Sequence, residues 1–217
     1  MLYTILDLGY TPEENAIPAT AALLAGGADF LQLRAKNQDL ATIRRVAETL
    51  IPLCRKAGVP FILNDHPALA GELGADGVHI GQDDGSLEDA RHQFLSASQR
   101  LPNLQSPISN PPFIGRSTHS LAQARAALAE GFDYIGFGPL FPTPTKLGRP
   151  GIGLDDIAAM ERDVGTKIPA FCIGGTKRDN LPTVLAAGAR HVVIVSDLLT
   201  APDIQSATQT AKAALRR

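Results

Sequence analysis

The chain has 217 residues, of which 44% are hydrophobic, and its 20 glycines and 16 prolines suit a globular protein with many short connections rather than a disordered one. Its 20 Lys and Arg residues against 22 Asp and Glu give a net charge near −2, which predicts neither a nucleic-acid partner nor a membrane surface. The N-terminus has no basic segment before an apolar stretch, and no apolar run approaches the roughly 20 residues that span a bilayer, so we expect a cytoplasmic protein.

Short apolar segments recur along the chain and predict eight β-strands. In chain order they are "LYTILDL" (2–8), "FLQLR" (30–34), "PFILND" (60–65), "GVHIGQ" (77–82), "FIGRS" (113–117), "YIGFG" (134–138), "PAFCIGG" (169–175) and "HVVIVS" (191–196). Amphipathic or alanine-rich stretches follow each strand and predict helices near 16–26, 39–57, 67–73, 86–98, 120–130, 154–163, 177–187 and 203–216.

Eight alternating strand and helix units predict an α/β protein, a single (β/α)8 TIM barrel over residues 1–217. A recurring pattern of helix end, glycine and strand entry, as in "GELGADGVHI" (71–80) and "ALAEGFDYIGF" (127–137), favours this barrel over an open doubly wound sheet. One segment, 96–113, has no helical period, and we interpret it as an extended surface connection.

Reactive groups of such barrels lie at the carboxyl ends of the strands, so the polar residues there are the candidates. Gln32, Arg34 and Lys36 alternate along the second strand and its continuation, which directs two cations and an amide to one side. A pyrophosphate would satisfy these groups. The alternative is a structural salt bridge to Asp29 or Asp39.

Asp65 and Asp84 end adjacent strands, with Asn64 beside the first of them. Hard oxygen ligands with phosphate nearby predict Mg²⁺, which takes one or two carboxylates and completes its shell with water and phosphate. Alternatively, Asp84 caps the helix that starts near Ser86. We interpret Asp83 as the solvent-facing member of its pair.

Two further strand ends suggest a second phosphate site. Gly174 and Gly175 follow the seventh strand, and Val195 and Ser196 the eighth, where barrels commonly bind phosphate through backbone N–H groups. Thr143, Thr145 and Lys146 follow the sixth strand in a proline-rich segment, which we expect to lie over the barrel mouth.

Two histidines have competing interpretations. His119 is either an acid or base at the fifth strand end or, as we favour, a residue that orients the turn beside Ser117. His79 is interpreted as barrel packing.

The sequence resembles the thiamine-phosphate synthase family over nearly its whole length. The matching motifs are "QLRAK" (32–36), "ILND" (62–65), "GADGVHIGQDD" (74–84), "GRSTHS" (115–120), "DYIGFGPLFPTPTK" (133–146), "IGG" (173–175) and "VS" (195–196). The resemblance implies condensation of hydroxymethylpyrimidine diphosphate with thiazole phosphate, which gives thiamine phosphate and pyrophosphate. Pyrophosphate would leave first and the thiazole nitrogen would then attack the pyrimidine methyl cation.

The resemblance also implies a role for each candidate residue. Mg²⁺ would be held by Asp65 and Asp84, and Arg34, Lys36, Ser117 and Lys146 would act on the reaction. The pyrimidine diphosphate would contact Gln32, Leu33, Arg34, Ala35, Lys36, Asn64, Ser117 and Lys146, and the thiazole phosphate Thr143, Pro144, Thr145, Gly175, Val195 and Ser196.

Ala35 departs from the family, which usually has Glu there, but by alternation we expect it to face away from the anion. Two other functions stay open: a related thiazole tautomerase that uses His119, and an inactive homologue that binds thiamine precursors. A homo-oligomer is also compatible with the sequence.

Overall fold

Eight parallel strands form a closed barrel in the computed structural model, which describes residues 1–99, 111–142 and 151–216. In chain order the strands are β1 (Leu2–Asp7), β2 (Phe30–Arg34), β3 (Phe61–Asn64), β4 (Gly77–Ile80), β5 (Phe113–Thr118), β6 (Tyr134–Phe137), β7 (Ala170–Cys172) and β8 (His191–Ile194). Each pairs with the next, and β8 pairs with β1 to close the ring. The predicted (β/α)8 barrel is therefore confirmed, and the open sheet is wrong.

Helices surround this barrel on the outside. They are α1 (Ala16–Ala25), α2 (Leu40–Ala57), α3 (Pro67–Leu73), α4 (Leu87–Ser98), α5 (Leu121–Glu130), α6 (Ile157–Met160), α7 (Leu181–Ala186), α8 (Ser196–Leu199) and α9 (Ile204–Ala214). A 3₁₀ turn at Glu13–Asn15 precedes α1, and a π-helix at Glu161–Gly165 continues α6. None of the helices in the described ranges is long and apolar enough to cross a membrane.

Helices α6 and α7 differ most from their predicted bounds; α6, predicted over 154–163, covers only Ile157–Met160 before the π-helix. The helix predicted over 177–187 begins only at Leu181, because the side chain of Asn180 accepts a 2.8 Å hydrogen bond from the backbone N–H of Lys177 and holds the preceding residues in a turn. Helix α8, directly after β8, was not predicted. Helix α4 ends at Ser98, as predicted for the helix over 86–98; residues 100–110 of the segment interpreted as an extended connection lie outside the described residues.

The glycines predicted to end helices do so. Gly74 ends α3 with φ +67° and Gly131 ends α5 with φ +91°, a left-handed conformation that costs glycine little. After each of these glycines the chain reverses direction and enters the next strand of the barrel.

The barrel interior is filled by a separate cluster of aromatic and aliphatic side chains. Tyr3, Tyr134 and Phe171 are nearly fully buried there, and the Tyr3 and Phe171 rings meet edge to face with centroids 5.0 Å apart. All three also line the pocket at the carboxyl end. The pocket therefore has an aromatic floor.

Candidate active site

A pocket opens at the carboxyl ends of the strands and is lined by residues from all sides of the barrel. Several predicted site residues lie in it: Gln32, Arg34, Lys36, Asn64, Asp65, Ser117, Gly175, Val195 and Ser196. His79 and His119 line it too. Most of the predicted site residues within the described ranges therefore lie together, as expected for residues at the carboxyl ends of the strands; we call this expectation the strand-end rule.

Both cations on the β2 side are paired with carboxylates. Asp7 lies opposite Arg34 in the β1–β2 register, and its Oδ2 is 2.5 Å from the guanidinium. The amine of Lys36 is 3.2 Å from the Asp65 carboxylate. The predicted alternative of a bridge to Asp29 or Asp39 is wrong in its partners: Asp29 pairs with Lys212, and Asp39 caps α2.

Asp7 is a site residue that the sequence analysis missed. It lines the pocket, is only 3% exposed, and its second oxygen accepts a 2.9 Å hydrogen bond from the backbone of Gly9. Held at both oxygens, the carboxylate fixes one edge of the Arg34 guanidinium. The signal was available, because Asp7 ends the first strand as the other candidates end theirs.

Leu33 and Ala35, the two remaining residues of the predicted "QLRAK" site, have buried side chains. Both belong to the core between the barrel and its helices, and neither lines the pocket. This matches the expectation that Ala35 faces away from the anion. Any contribution of these two residues to binding would come from their backbone.

The two predicted metal ligands lie in different surroundings. Asp65 lines the pocket and adopts φ +66°, a rare conformation for a residue with a side chain. Asp84 is exposed, is absent from the pocket lining, and accepts a 2.7 Å hydrogen bond from the backbone of Gly81, which does line it.

The alternative interpretation of Asp84 as a helix cap is wrong. Ser86 caps α4, in a capping box with Asp89. Asp83 is exposed, as predicted, but so is Asp84. Across residues 1–99, 111–142 and 151–216, no group of three or more His, Cys, Asp or Glu residues could by itself hold a metal ion.

The β7 side of the pocket offers backbone N–H groups. Gly174 and Gly175 have φ +97° and +66° and line the pocket beside Val195 and Ser196. The side chain of Asn180 donates a 2.9 Å hydrogen bond to the carbonyl of Gly175, which fixes the turn. A rigid turn of this kind presents backbone donors to an anion without reorganisation.

An ion pair joins the β7 turn to the start of α8. Arg178 donates to the Asp197 carboxylate from its backbone N–H at 3.0 Å and from its Nε at 2.8 Å. Burial would raise the pKa of Asp197, but the hydrogen bonds from Arg178 hold that pKa below its ordinary value. The pair thus holds the turn that contains Gly175 next to the start of α8 at Ser196.

Backbone hydrogen bonds hold the residues on either side of the segment predicted to lie over the barrel mouth. The backbone N–H of Phe141 donates to the carbonyl of Gly174 at 3.0 Å, and that of Ile152 to the carbonyl of Pro139 at 2.8 Å. The flanks of residues 143–150 are therefore held next to the β7 turn. Thr143, Pro144, Thr145 and Lys146 themselves lie outside the described residues.

A chain of side-chain hydrogen bonds crosses the barrel along the floor of the pocket; we call it the cross-barrel chain. It joins Gln32 Nε2 to Tyr3 OH (2.9 Å), Tyr3 OH to Tyr134 OH (3.2 Å), Tyr134 OH to His79 Nδ1 (3.3 Å) and His79 Nε2 to Ser117 Oγ (3.0 Å). Burial raises the pKa of both tyrosines well above the ordinary value, so both are neutral. His79 is thus more than packing, since it connects the floor to Ser117.

His119 orients a turn, as favoured from the sequence. Its backbone N–H donates to the Gln123 side chain at 2.7 Å, and its Nδ1 hydrogen-bonds the carbonyl of Gly138. A carbonyl only accepts, so Nδ1 carries the hydrogen. The cap of α5 itself is Ser120.

The fold and pocket define the class of protein: a (β/α)8 barrel with cations on one side of its mouth and a glycine turn on the other. Residues 2–198 match the family model described as thiamine monophosphate synthase. The chain therefore belongs to that family, and it is an enzyme, a transferase of thiamine biosynthesis.

Individual relatives agree with this assignment. The chain is 42% identical over 196 residues to the thiamine-phosphate synthase of Thermus thermophilus, with 90% of this chain and 87% of that one covered. It is 40% identical over 207 residues to that of Mycolicibacterium smegmatis, with 89% and 83% covered. Among solved structures, thiamine phosphate pyrophosphorylase from Pyrococcus furiosus superposes with a TM-score of 0.82 at 30% identity, over 99% of this chain and 95% of that one.

The close approach at Gly175 gives a prediction. An added Cβ would lie 2.7 Å from Phe141 Cβ, so Gly175→Ala should displace the turn from the loop after β6 and raise the KM of the substrate bound there about 10-fold. Gly58→Ala is the matched control, because Gly58 has φ +67° and open space around it. Thermal melting should show a cost of backbone strain in both variants, whereas steady-state kinetics should show a raised KM only in Gly175→Ala. A normal KM for Gly175→Ala would contradict the expected contact.

Proposed function

We propose that this chain, acting as one domain over residues 1–217, condenses hydroxymethylpyrimidine diphosphate with thiazole phosphate to thiamine phosphate and pyrophosphate. The observation that carries the proposal is one pocket with two cations on one side and a glycine turn on the other. Arg34 and Lys36 lie on the β2 side, and Gly175 and Ser196 on the β7 and β8 side. A reaction that joins two phosphorylated molecules needs a separate binding site for each phosphate group.

Diphosphate binding is assigned to the β2 side. Arg34 is fixed by Asp7 at one edge, which leaves its other N–H groups for phosphate oxygens. Lys36 is half-exposed and its partner Asp65 is a carboxylate that a bound cation could take over. Ser117, Asn64 and Lys146 would complete the contacts.

The second phosphate is assigned to the β7 and β8 side. Thr176 supports a ligand there, because it lines the pocket and its buried hydroxyl has no hydrogen-bond partner among the described residues. A phosphate oxygen would satisfy that hydroxyl together with the N–H groups of the glycine turn. Thr143, Pro144 and Thr145 would contact the same phosphate.

The residues at the pocket rim fit Mg²⁺. One pocket carboxylate, Asp65, and one exposed carboxylate, Asp84, match an ion that usually binds through one or two carboxylates and takes its other ligands from water and phosphate. We propose these two as the ligands. When bound, Mg²⁺ would neutralise charge on the leaving pyrophosphate.

The protein would act by charge stabilisation and positioning. As the carbon–oxygen bond to the pyrimidine methylene breaks, the electron pair would leave with pyrophosphate, and Arg34, Lys36 and Ser117 would stabilise it. The thiazole nitrogen then forms the new bond to the methylene carbon. The aromatic floor would hold the reacting rings in line and exclude water.

A thiazole tautomerase that uses His119 is the less favoured function. The paired cations and Asp65 have no role in a proton shift, so they favour the synthase. An inactive binding homologue is the other alternative, and only turnover separates it from a synthase.

The test is direct. Purified protein is incubated with both substrates and Mg²⁺, and thiamine phosphate and pyrophosphate are measured. We expect both products in equal amounts, and strong loss of turnover on chelation that added Mg²⁺ restores. Absence of product with folded protein would overturn the proposal.

The location and assembly of the protein are also proposals. We propose that it acts in the cytoplasm, where buried free thiols such as those of Cys54 and Cys172 stay reduced. We propose small-molecule substrates as its partners, and a homo-oligomer is compatible with the fold; sedimentation measures the oligomeric state.

A further inference from the structure

The cross-barrel chain can order its hydrogens in one direction, from Gln32 towards Ser117. An amide nitrogen only donates, so Gln32 Nε2 donates to Tyr3. The Tyr3 and Tyr134 oxygens are 3.2 Å apart, and either hydroxyl can donate across this contact. When Tyr3 donates, Tyr134 directs its own hydrogen to His79 Nδ1.

The direction of the chain selects one tautomer of His79. A nitrogen that accepts a hydrogen bond carries no hydrogen, so neutral His79 has its hydrogen on Nε2. That hydrogen points at Ser117 Oγ, 3.0 Å away. The Ser117 hydroxyl accepts at this contact and keeps its own hydrogen for another acceptor.

We propose that the cross-barrel chain sets Ser117 as a hydrogen-bond donor toward the pocket, with Tyr3 and Tyr134 as positioning residues that act through His79. The inference rests on the proposed function in one respect, the placement of the diphosphate beside Ser117. A pyrophosphate oxygen accepts hydrogen bonds only, so a serine whose hydrogen were given to His79 would present a lone pair to an anion.

The residues around the cross-barrel chain hold its side chains in place. Tyr3 and Tyr134 are each 2% exposed, so water does not substitute for their hydroxyl groups. The ring of Tyr134 fills the space over Gly115, where an added Cβ would lie 2.1 Å from the ring. A Cβ added at Gly136 would lie 3.5 Å from the His79 ring, at ordinary contact distance, so this ring packs closely over β6.

The first test is the tautomer of His79 in the free enzyme, which does not depend on activity. In ¹⁵N-labelled protein, the His79 signals are identified by their loss in His79→Asn, and two-bond ring correlations report which nitrogen is protonated. We expect Nε2–H in the free wild type. An Nδ1–H tautomer or a doubly protonated ring at neutral pH would overturn the inference and leave the proposed function untouched.

The same measurement compares the effects of the two tyrosines on the tautomer of His79. Tyr134→Phe removes the donor to Nδ1, so the Nδ1–H tautomer should rise. Tyr3→Phe leaves the Tyr134 contact to His79 in place and should shift the balance less. An unchanged ring in Tyr134→Phe would contradict the order of the chain.

The second test is a double-mutant cycle in turnover. Tyr134→Phe should lower kcat/KM for the pyrimidine diphosphate about 10-fold, the order expected for one hydrogen bond to a charged group. In the Ser117→Ala background the same change should have almost no further effect. A full additional loss there would show that Tyr134 acts by packing and not through Ser117.

Discussion

Replacing Asp65 by Asn should lower kcat/KM with Mg²⁺ about 100-fold or more, with little change in thermal stability. Asn is the suitable replacement because Asp65 has φ +66°, and Asn adopts this left-handed conformation more readily than most residues, whereas Ala would add backbone strain. Removal of one charged oxygen weakens a bound Mg²⁺, and loss of a charge-stabilising contact at a leaving group is worth about 100-fold to 1000-fold in rate. Kinetics across a range of Mg²⁺ concentrations measures the effect.

The Mg²⁺ titration separates two roles of Asp65. If the carboxylate holds the ion, the concentration of Mg²⁺ that gives half-maximal rate should rise in the variant. If it only orients Lys36, 3.2 Å away, that concentration should stay unchanged. Asp83→Asn is the control, because Asp83 is an exposed carboxylate without an assigned role; wild-type turnover in Asp65→Asn would remove the metal assignment.

Replacing Arg34 by Met should abolish measurable condensation and also destabilise the fold by about 3 kcal/mol. The side chain of Asp7 is only 4% exposed, so loss of its cation leaves a buried charge with the Gly9 N–H as its one remaining hydrogen-bond donor among the described residues. Breaking a buried pair from one side typically costs about 3–5 kcal/mol. Chemical denaturation and turnover are measured in parallel.

A second variant separates the effect of Arg34 on folding stability from its effect on turnover. In the double variant Asp7→Asn/Arg34→Met the buried charge is gone, so most of the lost stability should return while activity stays lost. Recovery of turnover in the double variant would show that Arg34 serves the fold alone. Equal stability of Arg34→Met and the wild type would contradict the buried pair.

The strand-end rule predicted much of the site, because the carboxyl ends of parallel strands meet at one mouth whatever the details of packing. Gln32, Arg34, Asn64 and Ser117 lie in the pocket for this reason. The salt-bridge partners predicted for this side, Asp29 and Asp39, were wrong. The actual partner of Arg34 depends on the register between β1 and β2, which places Asp7 opposite Arg34.

The cross-barrel chain was beyond sequence reasoning. Tyr3 and Tyr134 are 131 residues apart and each resembles a core aromatic in its own strand. Only barrel closure brings their hydroxyl groups within 3.2 Å. Likewise, "VS" (195–196) gave no helical signal, because the four-residue α8 is too short for a period to be read.

A crystal structure with thiamine phosphate, pyrophosphate and Mg²⁺ tests the central claim most directly, because it shows where each anion lies. We predict pyrophosphate against Arg34 and Lys36 with the metal on Asp65, and the phosphate of thiamine phosphate at Gly175 and Ser196. Both anions on the same side of the pocket, or the two in exchanged positions, would contradict the assignment of two separate phosphate sites.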